Sequence, residues 1–268
     1  MKSKVGTITV LVFLMALLTG CTRATPAPTA TSLPTEISTP VPGPVTLQYI
    51  GHSCFMLTAS DGTRIIMDPY NSWEAPQEIA QFPAGLTADF VTISHFHPDH
   101  DNINGVGGEP KVFIEPGSYQ GGSVKITGYK SDHGLVDNVP SDENTVFVFE
   151  IGDIKIVHMG AGGVITQADV LAAIEGADII TFDADGLARH PVVEMLEQLK
   201  QSRVHTIILT HYSFSENNLY YGSWTIDNIL KMLPADQLVV RDDGSDIIVT
   251  HNMLEQVLVL TPLALSKQ

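Results

Sequence analysis

The residues best able to do chemistry sit in one short stretch, Thr-Ile-Ser-His-Phe-His-Pro-Asp-His-Asp at 92–101. Three imidazoles and a carboxylate (His95, His97, Asp99 and His100) bring polar nitrogen and oxygen atoms that need partners wherever the chain buries them. A metal ion is the simplest common partner. Residues 88–94 read as a short apolar strand through Phe90, Val91 and Ile93, so His95 and His97, two apart on extended chain, project to one side. Pro98 keeps the residue before it extended and favours a change of direction after it, which sends Asp99 and His100 into the same cleft from the opposite side. The pattern predicts two adjacent metal positions, one on His95 and His97, the other on Asp99 and His100. The alternative, a polar loop with surface histidines, does not account for this phase.

His-x-His-x-Asp-His at the end of an apolar strand resembles the signature of the metallo-beta-lactamase superfamily, whose members are mostly zinc-dependent hydrolases. The resemblance implies an α/β fold, a four-layer αββα sandwich. Tyr49-Ile50-Gly51-His52-Ser53 and Met67-Asp68-Pro69 look like the opening strands of the lactonase-like branch, and the resemblance covers most of residues 45–233. It implies that His52 and Asp68 lie beside the metal site and support its ligands; taken alone, each reads as a turn residue. It implies His133, in Ser131-Asp132-His133-Gly134, as the third histidine of the first position. His211, delivered by the Ile-rich strand 204–210, looks like the last histidine of the second. The implied set is His95, His97 and His133 on one zinc, with Asp99, His100 and His211 on a second zinc or on a water that Asp99 orients as the catalytic carboxylate.

One departure bears on function. The stretch His158-Met159-Gly160-Ala161 resembles His-Leu-Gly-Asp of related sequences, in which the Asp bridges two metal ions, and here that position is Ala161. A carboxylate between two dications offsets their repulsion, and alanine offers no ligand atom. A single zinc on three histidines and a water remains a workable catalytic site. Asp183 and Asp185, at the carboxyl end of a strand over 177–182, either form a turn or supply the missing carboxylate.

The elements that must position these residues read as follows. Strands are expected at 45–50, 53–59 and 63–68, the last two joined by Ser60-Asp61-Gly62, then at 111–114, 123–127, 145–150 and 153–158. A helix over 166–175 starts from Thr166 as its cap, an amphipathic helix spans 191–202, and another spans 225–233. A hairpin of 238–241 with 247–251 about Asp243-Gly244 and a last strand at 257–260 complete a pattern of strands then helix, twice over, which fits two face-to-face sheets with helices outside. Segment 72–88 reads as loop or short helix. Tyr212, Phe214, Tyr220, Tyr221 and Trp224 form an aromatic run that lines a pocket or packs within its own loop.

Residues 1–21 stand apart: Lys2 and Lys4, an apolar run over 5–18, then Leu18-Thr19-Gly20-Cys21, which looks like a bacterial lipobox with Cys21 as the lipidated residue. The apolar run is shorter than the roughly 20 residues of a comfortable membrane span. Residues 22–44, rich in Thr, Pro, Ala and Ser, read as a disordered tether, leaving 45–268 as one domain. The expected address is extracytoplasmic, anchored to the membrane through Cys21. That leaves Cys54 as the one mature cysteine, without an intrachain disulfide partner. A formal charge of -16 argues against binding nucleic acid, whose phosphates need Lys and Arg.

Two functions follow. One is a hydrolase in which zinc lowers the pKa of a water toward about 7 for attack on an ester, lactone, amide or phosphoester of a small molecule. The other is a non-catalytic surface lipoprotein that kept the fold and part of the metal site. Beta-lactam hydrolysis does not follow from the fold alone.

Overall fold

In the computed structural model, residues 43–71, 81–133, 135–136, 139–140, 143–187, 190–213 and 224–266 are described. The leader, Cys21 and nearly all of the tether lie outside them, as do 72–80 and most of the aromatic run. In chain order the first strands are β1 (Val45–Gly51), β2 (Cys54–Thr58), β3 (Arg64–Met67), β4 (Phe90–Thr92) and β5 (Lys111–Phe113). Then come β6 (Gly117–Gly121), β7 (Val124–Asp132), the two-residue strands β8 (Leu135–Val136) and β9 (Val139–Pro140), β10 (Glu143–Ile151) and β11 (Ile154–His158). Helices and strands alternate from there: α1 (Ala168–Ile174), β12 (Ile179–Asp183), α2 (Val192–Gln201), β13 (Thr206–Thr210) and α3 (Ile226–Leu230). The chain closes with β14 (Val239–Asp242), β15 (Asp246–Val249), β16 (Gln256–Leu260) and α4 (Leu263–Ser266).

The strands form a six-stranded sheet, β15-β1-β2-β3-β4-β5, and an eight-stranded sheet, β14-β16-β13-β12-β11-β10-β7-β6. Side-chain alternation decides how they pack. On β1 to β3, Leu47, Tyr49, Phe55, Leu57, Ile65 and Met67 face one way and meet Ile126, Phe147, Phe149, Ile156, Ile179 and Ile208 of the larger sheet. The intervening Ile50, Cys54 and Ile66 face the other way, against Tyr70, Phe82, Leu86, Val106 and Leu263. The outer face of the larger sheet is covered by α1, α2 and α3 through Val170, Ile174, Val192, Met195, Leu196, Leu199 and Ile229. The result is the expected α/β four-layer αββα sandwich, with a thin fourth layer made of α4 and loops.

Several elements differ from the sequence reading. Residues 238–241 and 247–251 do not form a hairpin. β14 runs parallel to β16 in the larger sheet, while β15 lies antiparallel to β1 in the smaller one. Asp242 Oδ1 accepts the Gly244 N–H at 2.8 Å and the Ser245 carbonyl accepts the Tyr49 N–H at 2.8 Å, so the Asp-Gly turn passes the chain from one sheet to the other. A turn signal fixes a reversal but not the partner of either arm. Thr166 is not the cap of α1. Gln167 occupies that place without a side-chain capping bond: its Oε1 accepts the Thr166 N–H at 3.3 Å and its Nε2 donates to Asp132 Oδ2 at 2.8 Å. β6, short and glycine-bounded, gave no strand signal, and β7 runs on to Asp132, five residues beyond the expected end.

Candidate metal centre

The loop after β4 is shaped by the carboxylate of Asp68. Its Oδ1 accepts the Ser94 N–H at 2.7 Å, and its Oδ2 accepts the Ser94 hydroxyl at 2.5 Å. The following residues coil tightly, with His97 N–H donating to the His95 carbonyl at 3.2 Å and His100 N–H to the His97 carbonyl at 2.8 Å. β4 ends at Thr92, so His95 and His97 stand in a turn and not on the extended chain from which their common side was read; the turn brings His95 and His97 together, and Asp99 and His100 into a neighbouring group.

Two clusters face the cleft, and a third grouping of Asp68 with His95 and His100 lies between them. In the first, His95, His97 and His133 each place a ring nitrogen within 4.8 Å of the others, with His95 Nε2 and His97 Nδ1 only 3.0 Å apart. His133 comes from the chain just past β7. In the second, His52, Asp99, His100 and His211 converge within the same limit. Asp99 Oδ2 lies 3.0 Å from His52 Nε2, 3.2 Å from His211 Nε2 and 3.6 Å from His100 Nε2. The clusters adjoin, the His95 and His100 ring centroids being 4.2 Å apart.

Backbone strain marks the contributors. His52, Asp68 and His211 all have left-handed φ, at 54°, 45° and 61°. Left-handed backbone is uncommon outside glycine, though aspartate and histidine tolerate it better than most, and local contacts hold it at these positions. Here the enforcement is mutual, since the His52 carbonyl accepts both the His211 N–H at 3.1 Å and the Tyr49 hydroxyl at 2.8 Å. Two ligand-bearing turns from different sheets are thereby pinned together.

Beneath the clusters, Asp68 Oδ2 also meets His100 Nδ1 and His158 Nε2, each at 2.9 Å. Its oxygens are thus occupied by donors, and it orients His100 so that Nε2 faces the cleft. His158 in turn meets Thr181 Oγ1 through Nδ1 at 2.8 Å. Sequence reasoning missed the role of His158, and also that of His190, whose Nδ1 pairs with Asp185 Oδ2 at 3.0 Å and whose Nε2 donates to the Ala161 carbonyl at 2.9 Å. His158 stood in the sequence only as the first residue of His158-Met159-Gly160-Ala161, and His190 as a lone histidine outside any motif. His52, expected as a support, stands within contact of Asp99 as a member of the second cluster. Ala161 is buried and meets His190 through its carbonyl, as does Asp185 through its carboxylate, whereas Asp183 faces the second cluster.

The electrostatics follow from burial and neighbours. Burial pushes the His95 ring well below its ordinary value, with His100 adding to the effect. Burial and His211 lower His52 to about 4, and burial and His97 lower His133 to about 4. These rings are neutral at pH 7, the form that ligates a metal. Burial opposes charge on His100 too, but Asp99 and Asp68 outweigh it and raise the ring to about 9. Burial raises the Asp99 and Asp68 carboxyls, yet the adjacent histidines prevail and hold both well below the usual range. The donor set fits a dication: imidazoles on one side, and ionised oxygen among imidazoles on the other.

A family model described as a beta-lactamase superfamily domain matches residues 46–211, more than half of the chain. The chain belongs to the beta-lactamase superfamily. It is 24% identical over 195 residues to a protein of Carboxydothermus hydrogenoformans named a metal-dependent hydrolase, covering 62% of this chain and 84% of that one. Among solved structures it is similar to a candidate Zn-dependent hydrolase of the metallo-beta-lactamase superfamily from Thermotoga maritima, with 27% identity, a TM-score of 0.62, and coverage of 81% of this chain and 98% of that one. An isothiocyanate hydrolase from Delia radicum gut bacteria shares the fold alone, at 13% identity and a TM-score of 0.53, over 77% of this chain and 99% of that one. The residues of both clusters fall inside the superfamily match.

Proposed function

We propose that this chain is a metal-dependent hydrolase, with zinc as its metal and a small-molecule ester, lactone, amide or phosphoester as its substrate. The observation that carries this reading is the pair of adjoining clusters, His95, His97 and His133 beside His52, Asp99, His100 and His211. Zinc held there would supply a Lewis acid and an acidified water. The protein's own part is to hold His52, His95 and His133 neutral, to aim all of these rings at the ions, and to orient the attacking water. Asp99 suits the last task, because its side chain keeps 12% exposure while those of Asp68 and Asp183 keep 0% and 1%. Of these three carboxylates it is the one that keeps contact with solvent, as a group that orients a water must.

The likeness to named hydrolases in Carboxydothermus hydrogenoformans and Thermotoga maritima supports the reading. The lactonase-like character of the first strands and the lipobox at Cys21 extend it to a lipid-anchored, extracytoplasmic enzyme that does not bind nucleic acid. Replacing His97 with Ala should cost the first ion and reduce turnover of activated esters and lactones by more than about a hundredfold. Metal analysis and a hydrolysis screen on the same preparation check this; a fully active His97→Ala protein would sink the assignment. Ala161 favours a second reading, a non-catalytic binding lipoprotein. It requires no more than one bound metal and no turnover on any of these substrate classes.

A further inference from the structure

The chain end of β12 carries two carboxylates with different fates. Asp185 is fully engaged: Oδ1 accepts the Leu187 N–H at 2.8 Å and Oδ2 pairs with His190, which in turn holds the Ala161 carbonyl. Asp183 is divided. Its Oδ1 accepts the hydroxyl of Ser53, in the turn between β1 and β2, at 2.6 Å, and shares that of Thr210 on β13, at 3.1 Å, with the Phe182 carbonyl at 2.9 Å. Its Oδ2 is buried, makes no hydrogen bond, and stands 3.9 Å from both His100 Nε2 and His211 Nε2.

A carboxylate oxygen removed from water without a donor is a costly arrangement unless a cation answers it. Two ligands each about 2.0–2.2 Å from one zinc lie at most about 4.4 Å apart, so the observed separations can be spanned by a single ion. The residue is also held rigidly, since the Ala184 N–H donates to the Thr210 carbonyl at 2.9 Å and fixes the strand end. We propose that Asp183 is a ligand of the second metal position and supplies there the negative charge that Ala161 does not. The carboxylate that related chains carry on the loop after β11 has, in this chain, moved to the end of β12. With Asp99 and Asp183 together, two dications are met by two carboxylates, as they would be with Asp99 and an aspartate at residue 161. The inference rests on the metal-centre reading above.

The test is zinc stoichiometry and affinity of the full chain, with the visible absorption of the cobalt-substituted protein as a readout of coordination. Wild type should bind two equivalents. Asp183→Asn should keep the first and weaken the second by more than about tenfold, with loss of part of the cobalt spectrum. Ala161→Asp introduced into Asp183→Asn should bring the second equivalent back, and Asp185→Asn should keep both. Asp183→Asn with unchanged stoichiometry, affinity and spectrum would overturn the proposal while leaving the metal centre standing. A wild-type protein that takes up no metal would overturn both. Should Asp183→Asn fail to fold, a crystal structure of zinc-loaded wild type decides the matter. An Asp183 oxygen about 2.0–2.2 Å from an ion supports the assignment, and an ion without it overturns the assignment.

Discussion

Asp68 shows how one carboxylate can organise a site it does not occupy. Three donors, from Ser94, His100 and His158, converge on its Oδ2, and all four residues are buried. Asn in its place would keep the shape but turn an amide N–H₂ or a single carbonyl toward groups that need an ionised acceptor. Asp68→Asn should therefore destabilise the fold by about 3–5 kcal/mol, as breaking buried charged networks does, and weaken metal binding about 10- to 100-fold by releasing His100. Chemical denaturation and metal titration measure the two effects separately; normal affinity in a folded Asp68→Asn protein would show that His100 needs no such support. The place of Asp68 beside the centre was legible only through the family resemblance of Met67-Asp68-Pro69, since a lone aspartate before a proline otherwise reads as a turn residue. The sequence did not foresee His158 or His190. His158 reaches Asp68, 90 residues away in the chain, and His190 reaches Ala161, 29 away; the one near partner, Asp185 at five residues from His190, matches neither a strand nor a helix period.

At the scale of elements, strand ends do the positioning and the turns between them set the aim. β11 ends at His158, and the chain turns at once through Gly160, which holds a φ of 55°. A Cβ there would stand 2.3 Å from the Cβ of Ser94 and 2.8 Å from Asn144 Oδ1. The close approach lets the loop after β11 nest against the residue that Asp68 uses to set the turn ahead of His95. Gly160→Ala should thus push the two loops apart, costing more than about 2 kcal/mol in stability and weakening the first metal position. A denaturation midpoint within error of wild type would mean the loops are free to separate. Alternation on β1 to β3 and the apolar runs of β12 and β13 made the layered core legible in sequence. The fates of β14 and β15 were not, since both arms of an Asp-Gly turn carry the same apolar signal whichever sheet accepts them.

Across the whole molecule, the titratable groups predict how metal-free and metal-loaded protein will differ with pH. His52, His95 and His133 are held below the ordinary imidazole value of about 6.5, and His100 and His211 above it. Burial is the main cause for the lowered group; for the raised pair, Asp99 and Asp183 respectively are the strongest counterweights to burial. As pH falls from about 6.5 toward 4, the unfolded chain takes up protons that His52, His95 and His133 refuse, so stability falls. As pH rises from about 6.5 toward 9, the folded chain retains protons on His100 and His211 that the unfolded chain has released, and stability falls again. The metal-free protein should therefore have its highest Tm near pH 6.5. Zinc changes the upper limb. A zinc ion bound at the centre of the folded chain would have to displace the protons from His100 and His211, so the Tm gain on adding zinc should be larger at pH 8 than at pH 5, where those two rings hold their protons more firmly. Calorimetry with chelator and with zinc across that range checks both limbs, and a gain that does not grow with pH would mean that these histidines are not the groups the metal engages.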